Sequence, residues 1–244
     1  MTCACTLSIS PQVAAQVIEL PHSVPLPPVR PQEFDVKRKG SPSDPNAQSK
    51  QQNEPQNTAN SSCLALLKER GVEFAPLYDM GKFESCTVEE PVSFKGARLE
   101  DGRLIALDAP VTLRCGFAAE LALWMRNDLA PVALRHGLKV RGLSGVGGLA
   151  CRNRNRQSAG PVSEHATGNA FDVRRLVFDG AAPIDIMGDR NETTRAFRDE
   201  LRVATCARFP TVLGSGADGF HEDHLHLDGR ERRGGFRLCQ WSVL

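Results

Sequence analysis

The chain has 244 residues, 41% of them hydrophobic, and its 30 Lys+Arg against 29 Asp+Glu leave a formal net charge of +1. That length suits one domain with a tail, or two small domains. The balance of charge excludes a global electrostatic pull toward nucleic acid or anionic lipid, and no stretch is apolar enough to span a membrane.

Residues 1–20 contain no Lys or Arg and no leucine-rich core, whereas a signal peptide needs a basic n-region and an apolar h-region. They read as the remnant of an export segment, or as no signal at all. Residues 21–62 combine the proline-rich PHSVPLPPVRP with the polar SPSDPNAQSKQQNEPQNTANSS, which cannot bury enough apolar surface to fold; a disordered linker is predicted. The folded domain is predicted over 63–244. SSCLALLKERG predicts a short helix with Ser61 or Ser62 as N-cap and Gly71 as its stop. CTVEEPVSFKG and RLIALDAPVTLRC, rich in Val, Ile, Leu and Thr and broken by Pro and Gly, predict strands. CGFAAELALWMRNDLAPVALRHG predicts the best helix, with Phe117, Leu121, Trp124, Met125 and Leu129 as its core stripe.

LKVRGLSGVGGLACRNR begins as a strand and becomes a glycine-rich loop. It lacks both GxxxxGK[ST] and a GxGxxG that opens a helix, so it does not read as a nucleotide loop. NAFDVRRLVF alternates as a strand, and TTRAFRDELRVATCARF predicts a second helix starting near Thr193 or Thr194. PTVLGSG and DHLHLDG finish as strands. The sum is an α+β domain, a small mixed or antiparallel sheet with flanking helices.

Six of the eight cysteines, Cys63, Cys86, Cys115, Cys151, Cys206 and Cys239, follow residue 60, with none in a Cys-x2-Cys pair. They read as three disulfides in an oxidising compartment, hence a periplasmic or extracellular protein, or as buried thiols in a cytosolic one. Cys63 and Cys86 flank one short unit and are predicted to pair. The run Arg152, Arg154, Arg156 has no interleaved aromatics and does not predict a nucleic-acid partner.

Of six histidines, His22 lies in the tail and His136 ends the long helix, where a cation suits the helix dipole. The others fall in two polar clusters, SEHATGNAFD (163–172) and HEDHLHLD (221–228). On a strand, His224 and His226 share one face, with Leu225 and Leu227 turned to the core. A turn at Thr167-Gly168-Asn169 would bring His165 and Asp172 together. Two histidines and one carboxylate with a fourth position open make a catalytic zinc set. The serine-hydrolase GxSxG and the zinc-helix HExxH are absent from the sequence, and a disulfide would remove Cys151 as a nucleophile.

SxHxxGxAxD followed by a terminal HxH resembles the zinc peptidases of the D-Ala-D-Ala carboxypeptidase and dipeptidase group, which shares a fold with the hedgehog signalling domain. From about Cys63 to Trp241, with ACRNR, SEHATGNAFD, HEDHLHLD and RRGGFRLCQW, the chain more narrowly resembles the extensin-like C-terminal domain family of bacterial proteins. The peptidase resemblance implies Zn²⁺ held by His165, Asp172 and His226, and His224 as oxyanion stabiliser. It also implies Asp223 as general base and Arg152 as the grip on a substrate carboxylate. Strand alternation puts Asp223 on the face opposite the histidines and Glu222 on theirs, so Glu222 rivals it. The implied activity is hydrolysis of peptidoglycan peptides; the alternative is a non-catalytic metal-binding domain that binds cell-wall or extracellular polymer.

Overall fold

The computed structural model describes residues 54–78, 86–187 and 192–243, all within the unit Ser49–Leu244. The export-segment expectation over 1–20, and all but the last residues of the linker expected over 21–62, lie outside the described residues.

Among the described residues, two sheets and four α-helices make the fold. Helix α1 (Glu54–Glu69) leads into strand β1 (Val72–Pro76), then β2 (Pro91–Arg98) and β3 (Leu104–Arg114). Helix α1 begins upstream of both Ser61 and Ser62, so neither is its N-cap, while Gly71 follows its end with φ 66°. Next come α2 (Cys115–Leu123), a π-helical segment (Trp124–Leu129), α3 (Ala130–Arg135) and β4 (Val140–Ser144). The long helix is thus one rod with a widened middle. Pro131 near the start of α3 has no N–H, and its ring would collide with the carbonyl four residues back; the wider π turn just before it relieves that clash. Strands β5 (Ala170–Val173), β6 (Arg175–Phe178) and β7 (Ile184–Asp185) precede α4 (Glu192–Arg208), and β8 (Thr211–Leu213), β9 (Leu225–Asp228) and β10 (Leu238–Gln240) close the chain.

The α+β class holds, but the single small sheet is two. One runs β1-β2-β3-β4-β6-β7 and the other β10-β8-β9-β5. The segment expected as one strand, NAFDVRRLVF, breaks at Arg174 into β5 of one sheet and β6 of the other. Its alternating pattern is compatible with either sheet, and only the partners available on each side divide it.

The core is built as the periodicity implies. Phe117, Leu121, Trp124, Met125 and Leu129 are all buried, and Phe94, Ile105 and Leu113 from β2 and β3 join them in one cluster. From α4 and its end come Phe197, Leu201 and Phe209, and from the second sheet Phe171, Val173, Leu225 and Leu227. Trp124 presents its edge to Phe209, and its Nε1–H donates to Thr205 Oγ1 at 3.0 Å. The one polar atom of this large ring is therefore satisfied in the core.

Three disulfides staple the domain: Cys63–Cys115, Cys86–Cys151 and Cys206–Cys239, with Cα separations of 6.3, 5.6 and 5.7 Å. These lie inside the window that a disulfide requires. The expected Cys63–Cys86 bridge is wrong. Helix α1 packs on α2, whose first residue is Cys115, so Cys63 meets a partner 52 residues away. Closeness in sequence had no bearing on it. Cys86–Cys151 closes the longest loop, a separation of 65. Replacing both of its cysteines by serine is expected to destabilise the domain by about 4 kcal/mol through the freed loop entropy of the unfolded chain, measured by urea unfolding against wild type.

Candidate metal centre

The second sheet brings the two histidine clusters together by register. Strands β5 and β9 pair antiparallel with Asp172 directly opposite His226, a spacing at which side chains on one face touch. Leu225 and Leu227 face the core, as alternation requires, and His226 and Asp228 occupy the other face. Just before β5, Ser163 caps a short 3-10 turn (Glu164–Thr167) by accepting the His165 N–H. Gly168 then reverses the chain at φ 64°. A Cβ there would lie 2.7 Å from the Arg114 nitrogen and face a left-handed backbone as well, so only glycine fits. This reversal carries His165 back over β5.

Three atoms converge as a result. His165 Nε2 lies 3.2 Å from Asp172 Oδ1 and 3.1 Å from His226 Nδ1, and His226 Nδ1 lies 3.0 Å from Asp172 Oδ1. Tetrahedral bonds of about 2.0 Å put ligand atoms about 3.3 Å apart, so the triangle is close to metal-binding size. The outer nitrogens show which atoms face inward. His165 Nδ1 is 2.6 Å from the Gly148 carbonyl oxygen, which can only accept, so Nδ1 carries the proton. His226 Nε2 likewise donates to Asp228 Oδ2 at 3.2 Å. Each imidazole therefore turns a lone pair toward the Asp172 carboxylate. Three converging acceptors, the two histidines buried and Asp172 partly so, with no donor among them call for a cation between them.

In the absence of a metal, a proton meets that need. Burial pushes the His226 imidazole down, but its hydrogen bonds to Asp172 and Asp228, together with their charges, bring it up to about 9. Burial likewise pushes the Asp172 carboxyl up, and the hydrogen bonds and charges of His165 and His226 outweigh it, holding that carboxyl well below the usual carboxylate range. A metal ion would displace the proton, so metal affinity falls as pH falls. Among the described residues one other group has metal-binding spacing, Cys63, Glu90 and Cys115. Its sulfurs are spent in a disulfide.

The remaining expected site residues divide. His224 and Asp223 precede β9 rather than lying in it, so strand alternation does not govern them. His224 Nδ1 donates to Asp223 Oδ1 at 2.7 Å, and its Nε2 stands 3.8 Å from Asp172 Oδ2. Asp223 also forms an ion pair with Arg174; its hydrogen bond from His224, then the Arg174 charge, hold its carboxyl below the ordinary value. Glu222 turns elsewhere: its carboxylate accepts from Ser215 Oγ at 3.2 Å and Gly216 N at 3.3 Å. Arg152 lines two cavities that flank the trio. One, about 210 Å³, is walled by His165, His226, Asp228 and Thr211; the other, about 330 Å³, by Asp172, Asp223, His224 and Phe220.

Three contributors escape a reading of the sequence by motif. His221 lines both cavities beside His224 and His226, with ring centroids 5.3 and 5.4 Å away. Its Nδ1 is 2.6 Å from Asp218 Oδ1. Burial is the main force lowering its pKa, opposed by the Asp218 hydrogen bond. The glycine-rich loop also supports this centre: Gly147 exchanges two backbone hydrogen bonds with Asp172, and the Gly148 carbonyl orients His165. Asp228, which backs His226, was not singled out either, although its place two beyond His226 on one strand face is the signal that could have found it. Asp228→Asn is expected to weaken metal affinity by about 10–100-fold, as loss of an outer partner of a ligating histidine does, while circular dichroism stays native; metal-competition titration measures it.

Residues 61–240 match the family described as extensin-like protein C-terminus. No curated protein and no solved structure matches the chain.

Proposed function

The chain belongs to the extensin-like protein C-terminus family, and from that premise we propose that it is a zinc-dependent hydrolase of cell-wall peptides. The observation that supports this reading is the convergence of His165 Nε2, His226 Nδ1 and Asp172 Oδ1, each histidine oriented from behind by an acceptor. Two nitrogens and one carboxylate oxygen suit zinc with a position left for water or substrate. A fold shared with the D-Ala-D-Ala peptidases and hedgehog domains belongs to the same proposal. So does a periplasmic or extracellular location, which the three disulfides support.

When bound, the ion would supply an acidified water and a polarised carbonyl. The chain's residues do the rest. His221, kept neutral by burial and oriented by Asp218, accepts a proton and returns it to the leaving amine. Asp223 is the second candidate base, but its pairing with Arg174 and His224 stabilises it as a spectator anion. Glu222, held by the Ser215–Gly216 turn, takes no part. His224 Nε2 faces the cavity beside Asp172 and donates to the oxyanion of the tetrahedral intermediate when protonated. Arg152 holds a substrate carboxylate by its planar fork.

Purified protein is expected to carry about one zinc per chain and to release new peptides from peptidoglycan, read by mass spectrometry. Binding of the polymer without new fragments would overturn the hydrolase in favour of a binding domain; absence of stoichiometric metal would overturn both. Within an active enzyme, His221→Ala is expected to lower kcat by about 10²–10⁴-fold with metal content unchanged, while Glu222→Gln leaves it within about twofold. The opposite ranking would return the base to Glu222.

A further inference from the structure

The cavity bounded by Asp172 and His224 has basic side chains that form no ion pair among the described residues. Arg152, Arg156 and Arg174 all line it, as do Asp172 and Asp223. Arg174 is paired with Asp223, and Asp172 faces the two histidines. Nearby, Arg154 reaches Glu164 at 3.6 Å. Among the described residues the guanidinium groups of Arg152 and Arg156 have no hydrogen-bond or ion-pair partner. The cavity is therefore positive before any metal enters, and a divalent cation makes it more so.

The loop carrying these two arginines is held firmly. Cys151, next to Arg152, is tied to Cys86. Asn153 bridges Val162, and Gln157 N donates to Arg154 O across a tight turn. Within that turn Asn155 and Arg156 sit at φ 52° and 55°, two of only three non-glycine residues with positive φ among the described residues. Glycine would occupy the second of these positions without strain; arginine there sends a rigid, doubly donating cation over the cavity instead. Across from it, Phe220 is 55% exposed on the same cavity, an apolar wall for a carbon chain.

We propose that Arg152 and Arg156 form a two-cation subsite that selects a substrate residue bearing two carboxylates, one for each guanidinium, with its carbon chain against Phe220. This rests on the hydrolase reading for its biological use. As a binding site it does not, because both cations are present without metal.

The test uses metal-stripped full-length protein and two probes of equal chain length, glutarate with two carboxylates and pentanoate with one. Wild type is expected to bind glutarate at least about tenfold more tightly, and added salt to narrow the gap. Arg156→Asn, a residue that tolerates positive φ, is expected to bring the two probes within about twofold; Arg156→Lys retains an intermediate preference. Wild type that fails to discriminate overturns the proposal without recourse to any variant. So does Arg156→Asn that discriminates as wild type does. Zinc content of wild type and Arg156→Asn, measured in parallel, separates the two ideas: full zinc without discrimination refutes only the subsite, and discrimination without zinc refutes only the hydrolase.

Discussion

His165→Ala is expected to leave the protein folded but without stoichiometric metal, and with no detectable hydrolysis. The ring supplies one of three inward lone pairs, and its backbone neighbours hold the turn without it: Ser163, Gly168 and Ala166 are fixed by hydrogen bonds and burial that do not involve the imidazole. A protein zinc site of about 10–16 kcal/mol divided among its ligands makes each worth roughly 3 kcal/mol, or more than about 10²-fold in affinity. Metal analysis after dialysis reads the result directly. His226→Ala is expected to behave the same way, and to leave Asp228, 5% exposed, as a buried carboxylate without its histidine. It should therefore lose stability as well, by about 1–3 kcal/mol. If either variant keeps one metal per chain, the trio is not the centre.

Phe171→Ala is expected to lose about 3–5 kcal/mol of stability. Phe171 is fully buried and sits on β5 beside Asp172, opposite Leu227 of β9. Removing the ring opens a cavity under the strand pair whose register joins Asp172 to His226, so metal affinity should fall along with the unfolding midpoint. Val203→Ala, at a residue 61% exposed on α4, serves as the control and should change stability by less than about 0.5 kcal/mol. A Phe171→Ala variant that loses stability but binds metal as wild type would show that the site's geometry is held by the turn at Gly168 rather than by the sheet beneath it.

How much of this was legible beforehand depended on the range of the interaction. The stripe from Phe117 to Leu129 declared itself because helical periodicity is local; the π segment within it was not read, because it depends on how Pro131 is accommodated. SEHATGNAFD offered a glycine where the backbone must turn left-handed, which a motif reader can see. HEDHLHLD offered alternation, which held for Leu225 to Asp228 and failed for Glu222 to His224, because the strand starts only at Leu225. The choice between Asp223 and Glu222 rested on extending that count into a segment that is not a strand. Disulfide partners were illegible for another reason: Cys63 meets Cys115 only because α1 packs on α2.

By itself, then, the chain's order of residues determined the α+β class, the core-facing stripe, the number of cysteines available for stapling, and the two clusters from which the candidate ligands come. These follow from nearest-neighbour sterics and hydrophobic period, which act along the chain. The tertiary structure alone decided that NAFDVRRLVF serves two sheets, that Gly148 and Asp228 orient the two histidines, that His221 rather than Glu222 lines the cavities beside the trio, and that Arg152 and Arg156 form no ion pair among the described residues. Each of these depends on which distant atoms arrive within a few ångströms, and packing, not spacing, sets that.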